Sequence, residues 1–280
     1  SLKINTKHSV CYKKYFLGEV NFKYDYILLP GYYHEARIKK IYKSKNINTK
    51  FRVVGSIKIS QFLRNENFDK KKIVEKMQLD PNKTNILFAP SWNAHGKDLF
   101  GNFRLMPKSY GNQSNVLKKL TKELSSFNCN LIIKLHHASY SYLKKKFFKN
   151  LENEKNCFVF KSGIYHDVME SNDVFKISDI IITDTSGVAS TGAFLKKKLI
   201  FMNPHSSYDW QNSDIEKELR PGFICNNFNE VLNAIKNYIN DKDPFNIERK
   251  NFVEKIFYNA NEDANIKISK TIDDILSEFN

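Results

Sequence analysis

Six short apolar runs, near residues 85, 130, 157, 180, 199 and 223, alternate with longer stretches of helical character. Few arrangements satisfy strand-length runs separated by helices. The simplest is a parallel α/β sheet with helices on its faces. The unit is plainest in DIIITDTSGVASTGAFLKKKLIFMNP, Asp179 to Pro204. Ile180 to Ile182 read as a buried strand, Thr183 to Gly187 as a turn, Val188 to Lys197 as a helix and Leu199 to Met202 as the next strand. Such a turn joins the carboxyl end of a strand to the amino end of a helix, where free backbone N–H groups and the helix dipole favour an anion. Small hydroxyl residues and a glycine let a phosphate come close. The residues alone leave two readings open: a phosphate cradle, or an ordinary helix cap, since Ser and Thr start helices widely.

Composition sets outer bounds. At 280 residues, 41% hydrophobic and 14% aromatic, the chain has ample material for a core. It holds no run of 18 apolar residues, so no membrane-spanning helix is expected. The start, SLKINTKHSV, has no apolar signal core and no initiating Met. Cys11, Cys129, Cys157 and Cys225 are far apart, with no CxxC pair. They read as ordinary thiols of a reducing, cytoplasmic compartment, with neither a zinc site nor a disulfide frame. The formal charge of +15 suits a nucleic acid, an anionic membrane surface or an anionic polymer. No zinc-finger spacing, aromatic RNP pattern or helix-turn-helix is present, so no nucleic-acid partner is expected. The runs Lys70–Lys72, Lys144–Lys146 and Lys196–Lys198 read as solvated helix faces or ends.

Along the chain, residues 1–20 are polar and irregular. A strand over 24–29 ends at Pro30-Gly31, a helix follows over 34–43, and a second strand, 51–54, ends at Gly55. An amphipathic helix over 67–79 and the turn Asp80–Lys83 mark a domain boundary. The expected division is an amino-terminal domain over 1–79, with only two strands, a carboxy-terminal domain over 80–260, and a terminal helix in 261–280. The second domain opens with the strand Asn85–Pro90. A helix over 113–127 leads to a strand ending in Lys134-Leu135-His136-His137. Helices over 140–150 and 167–178 flank a strand at 157–160, and helices over 229–240 and 244–258 follow the last strand. The loop 94–112, with His95, Lys97 and Arg104, is long for a compact domain and reads as a functional flap over the acceptor.

Several of these segments, in order, resemble the CDP-glycerol glycerophosphotransferase family, the polymerases and primases of teichoic acid and related capsule polymers. ILFAPSWN resembles the family's ILYAPTWR at Ile86, Leu87, Ala89, Pro90 and Trp92, with Ser91 for a similar hydroxyl and Asn93 for the arginine. Lys134 and His136 match KxHP, with His137 for the proline. Thr183, Asp184, Ser186 and Val188 match TDYSSV, with Thr185 for the aromatic and Gly187 for the second serine. Thr191 stands where the family often has an acid. His8 matches the histidine of an HG pair, Ser9 replacing the glycine, and Lys14-Tyr15 match the Lys-aromatic pair that follows it.

The resemblance implies a GT-B architecture: two Rossmann-like domains facing a cleft, the amino-terminal one incomplete. It implies that a CDP-activated polyol, such as CDP-glycerol or CDP-ribitol, gives its polyol phosphate to an acceptor hydroxyl and releases CMP. His8 would be the general base. Lys134 and His136 would hold the diphosphate and stabilise the leaving group. Thr185, Ser186 and Gly187 would bind a phosphate, Ser91 would face the donor, and Asp184 would cap the turn or touch the donor. No cofactor is implied, and without a DxD pair little metal dependence is expected. The implied partners are the CDP-linked donor, an anionic polymer or glycan acceptor, and an anionic membrane touched peripherally from the cytoplasm. Two other functions fit the same features: a nucleotide-sugar glycosyltransferase of this fold, and a non-enzymatic basic module for polyanions.

Overall fold

The computed structural model describes residues 1–6, 23–41, 48–63, 68–90, 113–135, 145–161, 171–184, 186–202, 221–261 and 263–279. In chain order the elements are β1 (Ile4–Thr6), β2 (Tyr26–Leu29), α1 (Tyr32–Ile41), β3 (Lys50–Val53), α2 (Ile57–Leu63), α3 (Lys70–Lys76), β4 (Thr84–Phe88), α4 (Gln113–Ser126) and β5 (Cys129–Ile133). There follow α5 (Lys145–Glu152), β6 (Cys157–Val159), α6 (Ser171–Ile177), β7 (Ile180–Thr183), α7 (Val188–Phe194), β8 (Lys198–Met202), β9 (Gly222–Cys225), α8 (Phe228–Ile239), α9 (Asn246–Ile256) and α10 (Ala264–Phe279). Among the described residues they form two parallel sheets, β1-β2-β3 and β6-β5-β4-β7-β8-β9. The fold class is therefore α/β with parallel sheets, as the alternating runs predict, and Rossmann-like, as the resemblance implies.

Two compact units divide the chain: residues 1–67 with 250–280, and residues 68–249. The sequence reading puts the boundary near 80 and sets the terminal helix apart. The division falls earlier because α3 packs against α6, and Lys70 Nζ lies 2.5 Å from Asp179 Oδ1, just ahead of β7.

In the first unit, β2 is buried on both faces, which is why YILL is continuously apolar and does not alternate. Ile27 and Leu29 pack with Ile38 of α1. Tyr26 and Leu28 pack with Val54 and with Ala264, Ile268 and Ile275 of α10. The carboxy-terminal segment thus completes this unit: Tyr258 N donates to Pro30 O at 2.8 Å and Ala264 N to Ser60 Oγ at 2.7 Å. Gly31 is required there, since a Cβ would stand 2.2 Å from Ile256 O. Gly55, at φ +92°, makes the turn after β3. Among its described residues the unit has three strands, not the two read from sequence. The extra one, β1, pairs with β2 in the register Ile4↔Tyr26. It is only three residues long, too short to carry a periodicity of its own.

In the second unit, β4 and β5 pair in register from Thr84↔Cys129 to Phe88↔Ile133. That register sets two buried amides side by side: Asn130 Nδ2 donates to Asn85 Oδ1 at 2.8 Å and to Asp80 O at 2.8 Å. Asn85 Nδ2 donates to Ile177 O at 3.1 Å. A slip by one residue would bury these amides unpaired, so the pair specifies the register as well as satisfying it. Leu117, Leu120 and Leu124 of α4, with Val231, Ala234, Ile235 and Tyr238 of α8, join the strands in one core. Helix α8 starts on a capping arrangement: Asn227 Oδ1 accepts from Glu230 N at 3.0 Å, and Glu230 Oε2 accepts from Asn226 N at 2.7 Å.

Candidate functional site

Because all six strands run parallel, their carboxyl ends share one edge. From β4 the chain proceeds outward through β5 to β6. It then returns to the other side of β4 and proceeds through β7 and β8 to β9. The order reverses between β4 and β7. In open α/β sheets, ligands bind in the crevice outside the carboxyl ends at such a switch point.

At this point Thr183 Oγ1 donates to Ala89 O at 2.8 Å, and Ala89 N donates to Ile182 O at 2.9 Å. These bonds lock the ends of the two switch strands together and carry the chain through buried Asp184 to Ser186 and Gly187. Gly187 is the residue before α7 (φ −60°, ψ −11°), and it has no side chain to cap the helix. Ser186 Oγ accepts from Val188 N at a long 3.4 Å, and Ser186 O accepts from Ala189 N at 3.1 Å. The ordinary-cap reading of this turn is thus weakly met. Residues Ala189 to Ala193 of α7 are all buried, and a Cβ on Gly192 would stand 2.7 Å from Leu199 Cδ2 and 3.0 Å from Ile181 Cδ1. The small residues hold the helix close over β7 and β8.

Lys134 follows β5 on the same edge, its N–H donating to Phe88 O at 3.0 Å. Its ammonium lies 5.8 Å from the ring centroid of Phe160, at the end of β6, and 5.6 Å from that of Phe175 on α6. Burial pulls its pKa below the usual lysine value. Lys134, Asp184, Ser186 and Gly187 therefore all sit along the carboxyl edge of the second unit's sheet. His8, Ser91, His136 and Thr185, with Trp92 and the loop 94–112, lie outside the described residues. Two aromatic residues are missing from the sequence reading, Phe160 and Phe175. The signal for Phe160 was present, since the apolar run CFVF continues to the last residue before the loop. Nothing marked Phe175, whose place beside Lys134 depends on how α6 packs.

The opposite, amino edge carries a pocket of about 360 Å³ lined by Thr84, Asp179, Lys197, Lys198, Tyr238 and neighbouring residues. Lys197 and Lys198 are occupied in the fold. Helix α7 ends with Lys197 N donating to Gly192 O at 2.8 Å and Lys196 N to Ala193 O at 3.0 Å, with Lys196 left-handed at φ 56°. This is a Schellman end with a lysine at the position glycine usually takes. It directs Lys197 Nζ to Lys176 O, at 2.6 Å, and Lys198 Nζ to Tyr238 O, at 2.8 Å. Those carbonyls belong to the last turns of α6 and α8, so two lysines of the run cap two helices.

Among the described residues, no group of three or more His, Cys, Asp or Glu side chains is placed to hold a metal ion, and no helix is long and apolar enough to cross a membrane. Cys129, Cys157 and Cys225 are buried, and burial pushes their thiols up, to about 11 for Cys129 and about 12 for the other two. They behave as small core residues.

Known proteins share similarity of sequence and of fold with this chain. The teichoic acid poly(glycerol phosphate) polymerase of Bacillus spizizenii is 27% identical over 267 residues, 92% of this chain, and the chain spans 61% of that polymerase's length. The solved structure of the wall teichoic acid polymerase TagF covers 99% of this chain, and the chain covers 69% of it, with a TM-score of 0.62 and 18% identity. The UDP-GlcNAc 2-epimerase of Methanocaldococcus jannaschii, solved with UDP-GlcNAc and UDP, shares the fold at a TM-score of 0.55 and 15% identity, over 89% of this chain and 61% of its own. These likenesses place the fold in the GT-B class. The family model for CDP-glycerol:poly(glycerophosphate) glycerophosphotransferase matches residues 4–274, and the chain belongs to that family.

Proposed function

We propose that the chain transfers a polyol phosphate, glycerol phosphate or ribitol phosphate, from a CDP-linked donor to a hydroxyl of a growing anionic polymer or glycan. The observation that carries this reading is the switch-point edge of the second unit. A half-buried lysine and a weakly capped Ser186-Gly187 turn flank the place where a parallel sheet takes a nucleotide diphosphate. The acceptor oxygen attacks the phosphorus that bears the polyol, and the bond from that phosphorus to the CMP oxygen breaks. His8 takes the hydroxyl proton. Lys134 and His136 balance the charge that builds on departing CMP. Thr185, Ser186 and Gly187 hold a phosphate oxygen through backbone N–H groups, with Ser91 and Asp184 completing the donor side. On this reading the reaction needs no metal ion, and the excess of lysine draws the chain to its anionic polymer and to an anionic bilayer surface.

A second reading, transfer of a sugar from a nucleotide sugar, is favoured by the shared fold of the epimerase solved with UDP-GlcNAc. Product analysis separates the two. Incubating the full chain with CDP-glycerol and a poly(glycerol phosphate) acceptor, in chelator, should release CMP and lengthen the acceptor by phosphodiester units. Glycosidic product from a nucleotide sugar, with no CMP from CDP-glycerol, would overturn the proposal.

A further inference from the structure

Lys134 lies over two aromatic rings and is held differently from four other lysines of its unit. Lys70 pairs with Asp179, Lys161 with Glu152 and Lys198 with Asp241, while Lys197 donates to the carbonyl of Lys176. Among the described residues no carboxylate pairs with Lys134, and its ammonium lies between the rings of Phe160 and Phe175. The two rings come from different elements, one following β6 and one from α6, and are 4% and 3% exposed. The Phe160 backbone is fixed, since its N–H donates to Ile133 O at 2.8 Å, one residue before Lys134, and Phe175 is held within α6. A carboxylate partner would cancel the field that an incoming anion feels. Two aromatic faces attract the ammonium through their quadrupoles and leave its full charge in place. They also shield it in part from water, which strengthens the interaction with any anion that arrives.

We propose that Phe175 and Phe160 are positioning residues, which hold Lys134 as an uncancelled cation so that it captures a diphosphate at the switch point. The inference rests on the donor-site reading and deepens it, naming the diphosphate as the part of the donor that this cage serves. Burial acts in the same direction: an anion beside the ammonium restores the proton affinity that desolvation removes, so diphosphate binding weakens as the solution becomes alkaline.

The test is calorimetric titration of the full chain with CDP, beside initial rates with CDP-glycerol. Phe175→Leu should weaken CDP about five- to thirtyfold, the scale of one desolvated cation–π contact. It should raise KM for CDP-glycerol in proportion and leave kcat within twofold. Phe175→Tyr, which keeps the π face, should recover most of the loss. Val174→Ala, which opens a cavity in the same helix at a fully buried position, should lower thermal stability and leave CDP affinity unchanged. Phe160→Leu repeats the test if Phe175→Leu does not fold. CDP affinity within twofold of wild type in the leucine variants, or an equal loss in Val174→Ala, would overturn the inference, as would absence of CDP binding by the wild type. Wild-type CDP binding that weakens in Phe175→Leu without any CMP release from CDP-glycerol would sink the transferase reading and leave the cage standing.

Discussion

Lys134 sets the terms at the scale of single residues. An ammonium kept in an apolar setting opposes folding, and its lowered pKa expresses that opposition. Lys134→Met keeps the length of the side chain and removes the charge. It is expected to leave the melting temperature equal to or above that of wild type while donor affinity falls at least tenfold, roughly the loss of one charge-assisted contact. A fall in both would mean that the lysine is there for stability. The Arg249–Asp243 pair is the opposite case. Arg249 is 3% exposed and donates through both terminal nitrogens to Asp243. Burial pushes the Asp243 carboxyl up, but the hydrogen bonds and charge of Arg249 outweigh it and the net shift is downward. Asp243→Ala would leave a buried guanidinium unpaired and should destabilise by about 3 kcal/mol in chemical denaturation. With its folded pKa below the unfolded value, the Asp243 contribution is present at neutral pH and lost as pH falls through the folded value.

At the scale of elements, the lysine run after α7 shows how a local sequence acquires a job from its neighbours. Burial lowers the Lys197 amine to about 8, partly offset by Asp179 and reinforced by Lys70. The unfolded chain keeps the ordinary 10.5. Between those values the unfolded state holds a proton that the folded state has released, so stability rises with pH across the window. Lys197→Met should flatten that rise in melts taken from pH 8 to 10. Lys196→Gly, relieving a left-handed lysine, should stabilise by roughly 1 kcal/mol in the same assay. The six strands of the larger sheet were legible because each is a buried run of strand length, and parallel strands covered on both faces need no alternation. Helix α2 was not legible. Its sequence, IKISQFL, alternates at the start as a strand would, and only the burial of Ile59, Ser60 and Phe62 settles it as a helix. The site was legible to the extent that chemistry follows strand ends: Lys134, Asp184, Ser186 and Gly187 all fall on the carboxyl edge. Phe175 was not, because a cation–π contact between α6 and β5 is a matter of packing with no sequence spacing to announce it.

For the whole molecule, the division into two units makes unfolding separable. The first unit closes its core with α10, more than 200 residues beyond β3 in sequence, a pairing that no periodicity reveals. Ile275 is 1% exposed in that core. Ile275→Asp should lower the transition of this unit in calorimetry and leave that of residues 68–249 in place, splitting one broad unfolding curve into two. A uniform shift of a single transition would mean that the units unfold as one. On the proposed function, the switch-point edge of the larger unit serves as a donor site built around Lys134. The most direct measurement is calorimetric titration of the wild type and Lys134→Met with CDP-glycerol and, separately, UDP-GlcNAc. The expected result is one site per chain that prefers CDP-glycerol and is weakened at least tenfold by the substitution. Equal affinity for the two nucleotides, or CDP-glycerol binding unchanged in Lys134→Met, would contradict it.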